Sequence, residues 1–128
     1  MLLFVYGTLK KGGRLSGYLD KSTYLGPAVT TFAEFNLIGG KGFPFLTKGH
    51  FRVRGDVYDV DRDTLKLLDR VEGVPHLYER TKANVNVFST KINGEWAWVY
   101  ISANEHEENM INVKLNMQAM EKEWVDAD

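Results

Sequence analysis

The chain has no cysteine among its 128 residues, which excludes a disulfide framework, a thiol nucleophile and a thiolate metal site. That composition fits a reducing interior. No apolar run approaches the roughly 18 to 20 residues of a membrane-spanning helix, and the first residues lack the basic, apolar, small-residue order of a secretory leader. The expected location is therefore the cytoplasm, with no membrane partner. An excess of one charge is also missing: 16 Lys and Arg stand against 17 Asp and Glu, so nothing suggests a nucleic-acid partner. His50, His76 and His106 are too scattered for a metal signature. Asp59, Asp61 and Asp63 alternate but lack the glycine and distal glutamate of a calcium loop, and helix capping explains them better. Ser16, Ser22, Ser89 and Ser102 sit in no nucleophile elbow. Repeats, low-complexity stretches and linkers are absent too, so residues 1–128 are expected to form one domain, long enough to bury its own core.

What is present is organised around the opening stretch, Leu2-Leu3-Phe4-Val5-Tyr6-Gly7-Thr8-Leu9-Lys10-Lys11-Gly12. Leu2 to Val5 read as a short strand buried on both faces, and a strand that begins the chain this way is a central one. The glycine-containing loop behind it offers successive backbone N–H groups as an anion cradle. Gly7 to Gly12 have the glycine spacing of a phosphate loop, but Gly13 and Arg14 stand where Lys and Ser or Thr are required, so that motif is excluded. Taken alone, the loop is read by default as an ordinary strand-to-loop corner with a satisfied backbone.

Further along, Leu15 to Leu19 suit one or two helical turns. Tyr24 to Ile38 read as a long bent strand with a bulge, and Gly39 to Pro44 as a flexible loop. Phe51 to Val60 alternate apolar and charged residues like a half-exposed antiparallel strand. A helix follows, with Asp61 as its cap, Asp63 in its first turn and Leu65, Leu68 and Val71 on one side. Gly73 and Pro75 end it. Tyr78 to Phe88 and Glu95 to Ile101 are expected strands, joined by a two-residue Asn93-Gly94 turn. In the tail, Met110, Val113, Met117, Met120 and Trp124 recur every three to four residues, which predicts an amphipathic helix over Glu107 to Val125. Such a helix packs either on its own domain or on a second copy, leaving monomer and homodimer open. The expected class is α+β: a small, mixed, mainly antiparallel β-barrel flanked by two or three helices, including the C-terminal amphipathic one.

Val5-Tyr6-Gly7-Thr8-Leu9-Lys10 resembles the signature of the γ-glutamyl cyclotransferase superfamily. Leu68-Asp69-Arg70-Val71-Glu72-Gly73-Val74-Pro75-His76-Leu77-Tyr78-Glu79-Arg80 resembles its γ-glutamylamine cyclotransferase branch, and weaker similarity fills the chain between Leu2 and roughly Ile101. The resemblance implies the same partly closed barrel with a cavity at one end. It implies an intramolecular aminolysis: the α-amine of a γ-glutamyl group attacks its own γ-carbonyl, 5-oxoproline forms, and the attached amine or amino acid leaves. No metal or cofactor takes part, and the partner is a small γ-glutamyl substrate.

An enzyme of this kind must freeze the substrate in its cyclising conformation and move one proton from the attacking to the departing nitrogen. The amides of Gly7, Thr8 and Leu9 are the candidates for holding a carboxylate, helped by the Thr8 hydroxyl and the Tyr6 ring, and the same loop offers a donor to the oxyanion. By family correspondence Glu72 is the acid/base; on the residues alone it is better read as a solvated glutamate at a helix end. A buried Glu72 would have its pKa lifted from about 4.3 toward neutrality. Phe43 and Pro44 match a corner that borders the family's cavity. Tyr78 is either a substrate-facing or a core tyrosine, Tyr100 likewise, and Arg80 is better read as a structural ion-pair partner. A non-catalytic carboxylate-binding protein on the same scaffold is the alternative function. A single-strand nucleic-acid binder using Trp96 and Trp98 is disfavoured by the net charge of −1.

Overall fold

The opening strand, β1 (Leu2–Val5), lies between two neighbours. In the computed structural model, which describes residues 1–88 and 90–125, it runs antiparallel to β5 (Arg52–Asp59), from Leu2↔Asp59 to Val5↔Asp56, and parallel to β7 (Asn93–Ser102) at Leu3↔Trp98. β2 (Thr23–Thr30) pairs with β5 and with β6 (Tyr78–Val87), and β6 pairs along β7. The pairings thus lead from β1 through β7, β6, β2 and β5 back to β1. β3 (Phe35–Ile38) and β4 (Phe45–Lys48) make a separate hairpin, and β9 (Glu121–Trp124) extends β5 with β8 (Val113–Asn116) outside it. α1 (Arg62–Val71) is the one α-helix among the described residues, with a single 3-10 turn at Ser16–Leu19, so the fold is a mixed, sheet-dominated α+β arrangement. No helix of the described residues is long and apolar enough to cross a membrane.

Side-chain alternation explains why β1 is buried on both sides. Phe4 and Tyr6 enter one core with Val57, Val85, Val99 and Trp124, while Leu3 and Val5 enter a second with Leu65 and Leu68 of α1 and with Tyr78 and Tyr100. Gly55 permits the tight crossing: a Cβ there would collide with the Val5 carbonyl oxygen and approach the Phe4 ring to 2.9 Å. It also marks where the edge of β5 passes from β1 to β9. The helix begins as its residues dictate, with the Asp61 carboxylate accepting the Thr64 N–H at 2.7 Å. It ends at Glu72, followed by Gly73 at φ +67°.

Several expectations need correction. The tail is a β-hairpin, not a C-terminal amphipathic helix: Val113 pairs with Trp124, and Asn112 and Met120 have φ of 58° and 54°. Its apolar spacing suits a helix, but β9 finds a stronger partner in the edge of β5 at Arg52 and Val53. Two buried charges fasten it there. Glu121 faces Arg52 at 3.6 Å and Arg54 at 2.5 Å, and Lys122 reaches Glu108 at 2.8 Å and Asn36 at 2.7 Å. The Tyr24 to Ile38 strand is two strands, β2 and β3, with the expected irregularity inside β2 between Tyr24 and Gly26. Asn93-Gly94 is no turn: Asn86 pairs with Asn93 and Val85 with Glu95, so Gly94, at φ +70°, is the bulge residue of β7. β5 is more deeply covered than its alternation implies, since Gly55, Asp56, Val57 and Tyr58 are all buried between the two cores. Ser89 lies outside the described residues.

Because the Trp124 side chain is only 1% exposed, Trp124→Ala is expected to cost about 3 to 5 kcal/mol. Denaturant midpoints measure this, and a loss within about 0.5 kcal/mol would place the tail outside the core.

Candidate active site

Where β1 ends, its loop, the C-terminal end of α1, the start of β6 and the Phe43-Pro44 corner enclose a cavity of about 210 Å³. Glu72, Tyr6, Gly7, Thr8, Leu9, Phe43, Pro44, Tyr78 and Tyr100, the residues singled out from sequence, all line it. The two segments distant in sequence therefore face one hollow. Arg80 does not line it, and Arg14, Leu15 and Val71 do.

The loop after β1 is shaped from below. Lys10 N–H donates to the Gly7 carbonyl at 3.0 Å, Leu15 N–H to the Thr8 carbonyl at 2.8 Å, and Lys11 N–H to the buried Asp56 carboxylate at 2.8 Å. Asp56 also accepts the Tyr24 hydroxyl at 2.8 Å, which holds it in place. Among the described residues the amides of Gly7, Thr8 and Leu9 donate to no protein acceptor. They remain available as a small positive concavity. Gly7 is required by close approach, because a Cβ there would stand 2.8 Å from Pro44 Cδ and 2.9 Å from its Cγ. The loop and the Phe43-Pro44 corner are thereby held wall to wall.

Glu72 caps the C-terminal end of α1, on the unfavourable side of the helix dipole. Its carboxylate has no ion-pair or hydrogen-bond partner among the described residues. Burial alone pushes its pKa from 4.5 to about 7. The surrounding tyrosines respond to the same environment: burial raises Tyr6, Tyr78 and Tyr100 above the usual phenol range, and the charge of Glu72 adds to each. Their hydroxyls donate to protein: Tyr6 to the Tyr100 carbonyl at 2.6 Å, Tyr78 to the Pro44 carbonyl at 3.1 Å, and Tyr100 to Asp69 Oδ1 at 2.8 Å. They wall the cavity with rings and neutral oxygens. An acid held near neutrality in such walls is chemically suited to taking a proton and returning it.

Arg80 takes the structural role, bonding Asp69 through Nε at 2.8 Å and Nη2 at 3.2 Å and lying 4.3 Å over the Trp98 ring. Asp69 escaped the sequence reading, although it precedes Glu72 by one helical turn and Arg80 and Tyr100 are cross-strand partners. Both partners aim at it, so one carboxylate orients the Tyr100 wall. In the sequence Arg14 stands out only with Gly13, as residues that break the phosphate-loop pattern, and nothing local marks it as a cavity residue.

The model of the family "Gamma-glutamyl cyclotransferase, AIG2-like" matches residues 3–126. A putative gamma-glutamylcyclotransferase of Vibrio cholerae is 40% identical over 105 residues, 82% of this chain and 84% of that protein. The gamma-glutamylaminecyclotransferase of Rattus norvegicus is 39% identical over 95 residues, 66% of this chain and 63% of the rat protein, so the match spans less than two thirds of that relative. An AIG2-like protein from Mus musculus, solved by crystallography, superposes with a TM-score of 0.72 at 32% identity, covering 82% of this chain and 78% of that one. A family pattern running through nearly all of the chain, together with the mouse protein's fold, means that this chain belongs to the γ-glutamyl cyclotransferase, AIG2-like family.

Proposed function

We propose that this protein is a γ-glutamyl(amine) cyclotransferase that releases 5-oxoproline and a free amine or amino acid by intramolecular aminolysis, with Glu72 as general acid/base. The observation that carries the reading is the unpaired, burial-raised Glu72 facing the unoccupied amides of Gly7 to Leu9 across one small cavity. The substrate's α-carboxylate sits against those amides, with the Thr8 hydroxyl beside them. The Glu72 carboxylate accepts a proton from the α-amine as that nitrogen attacks the γ-carbonyl carbon and the carbonyl π electrons move onto oxygen. A loop amide stabilises the oxyanion. Glu72 then returns the proton to the departing nitrogen as the oxyanion's electrons re-form the carbonyl and the old C–N bond breaks, which frees the amine and leaves the ring as 5-oxoproline. Phe43, Pro44, Tyr6, Tyr78 and Tyr100 supply rigid walls that exclude water and hold the chain folded for attack.

The ring of pairings from β1 back to β1 is read as the small barrel that supports this cavity. Residues 1–128 act as a single domain, as monomer or homodimer, needing no cofactor and binding neither nucleic acid nor membrane. The absence of cysteine supports a cytoplasmic location.

Turnover is expected to fall at least about 100-fold in Glu72→Gln while circular dichroism shows the fold retained, with 5-oxoproline release from a γ-glutamylamine panel as the readout. Comparable turnover removes Glu72 from the mechanism, and a wild-type protein that binds γ-glutamyl compounds without releasing 5-oxoproline is a carboxylate-binding protein instead. For the wild type, kcat/KM is expected to decline as the pH is lowered through about 7, where Glu72 becomes protonated and loses its capacity as base; a profile flat from pH 5 to 8 would sink this role. Stability moves the other way. Between 4.5 and about 7 the folded state holds a proton that the unfolded state has released, so stability declines as pH rises through that window. Glu72→Gln is therefore expected to be more stable than the wild type at pH 8, by on the order of 3 kcal/mol in denaturant unfolding, with the gain vanishing toward pH 4.5.

A further inference from the structure

The cavity is lined by one cation as well as one acid. Arg14 follows the Gly12-Gly13 pair, and its Nη2 donates to the Gly42 carbonyl at 3.2 Å, so the guanidinium joins the loop after β1 to the lip formed by residues 39–44. Gly42 lies at φ +82°, a backbone conformation that favours glycine, and the guanidinium packs against it in ordinary van der Waals contact. No carboxylate lies within ion-pair distance of Arg14 among the described residues. Among the described residues one of its five N–H donors is engaged, which leaves the others open to a ligand. Lys41, exposed in the same lip, adds charge of the same sign.

Depth separates Arg14 from the groups assigned to the glutamyl unit. Thr8 and Leu9 are buried and Glu72 is half-buried, whereas Arg14 is exposed at the mouth. At about 210 Å³ the cavity is smaller than the roughly 300 to 1,000 Å³ of sites that enclose a drug-sized ligand. It has room for the glutamyl portion, and whatever is attached to the γ-nitrogen must extend past Arg14. An arginine with a free face presents a planar fork matched to a carboxylate, which no lysine point charge reproduces.

Building on the cyclotransferase reading, we propose that Arg14 is a specificity-determining residue, selecting leaving amines that carry a carboxylate beside the departing nitrogen over neutral or cationic amines. The substrate pair that isolates this is γ-glutamyl-alanine against γ-glutamyl-alaninamide, identical but for the terminal acid. Wild type is expected to favour the acid by about tenfold in kcat/KM, residing in KM and shrinking with added salt. In Arg14→Gln the ratio collapses to about one, and Arg14→Lys keeps part of it. A ratio unchanged in Arg14→Gln overturns the proposal. An equal loss on both substrates also overturns it, since Arg14 would then hold the glutamyl α-carboxylate or merely the lip. Calorimetric titration of the two dipeptides into Glu72→Gln and into Glu72→Gln/Arg14→Gln reads the same preference without turnover. Absence of 5-oxoproline release by wild type therefore defeats the cyclotransferase reading, while equal binding of the two dipeptides to Glu72→Gln defeats the role of Arg14.

Discussion

A four-residue strand with no exposed face governs this structure. β1 is clamped by β5 on one edge and β7 on the other, with Phe4 and Leu3 sent into opposite cores. Its direction and end point are thereby fixed, and the loop that begins at Tyr6 leaves the sheet at one place only. The loop's amides have a defined aim because the strand behind them has no freedom to slip: a one-residue shift would turn both cores inside out. Gly55 and Gly7 serve the same end at successive positions along this path, one admitting β1 against β5 and the other admitting Pro44 against the loop.

The acid opposite is governed by a different constraint. A glutamate at the C-terminal end of α1, with no ion-pair partner among the described residues and beside three buried tyrosines, is unfavourable for stability in both respects. Arg80, eight residues on, is engaged instead by Asp69 through Nε and Nη2 and does not line the cavity. Asp69 in turn receives the Tyr100 hydroxyl, so this ion pair also sets one wall of the cavity. Stability is forgone at one residue, while its neighbours pair with one another.

The parts legible in sequence were those written locally. An apolar run followed by a glycine loop predicted β1 and its corner, and the Asp61 cap, the Leu65 and Leu68 stripe and Gly73 predicted α1 nearly to the residue. That Glu72 and the loop residues line one cavity was legible because each occupies a compact motif. The tail was not, since Met110, Val113, Met117 and Trp124 satisfy a helical period while the free edge of β5, which decides the matter, lies some 70 residues earlier and becomes an edge only in the folded sheet. Positive φ at Asn112 and Met120 leaves no mark in composition. Asp69, Arg80 and Tyr100 form a unit only once β6 and β7 are in register, and Arg14 acquires a neighbour in Gly42 only when two loops close.

The bond from Lys10 Nζ to the Trp124 carbonyl, at 2.6 Å, spans 114 positions of sequence. During synthesis on a ribosome the pieces of the cavity emerge early, but their final brace does not exist until almost the last described residue has cleared the exit tunnel. A nascent chain therefore carries the loop after β1 without this brace until β9 has emerged and docked.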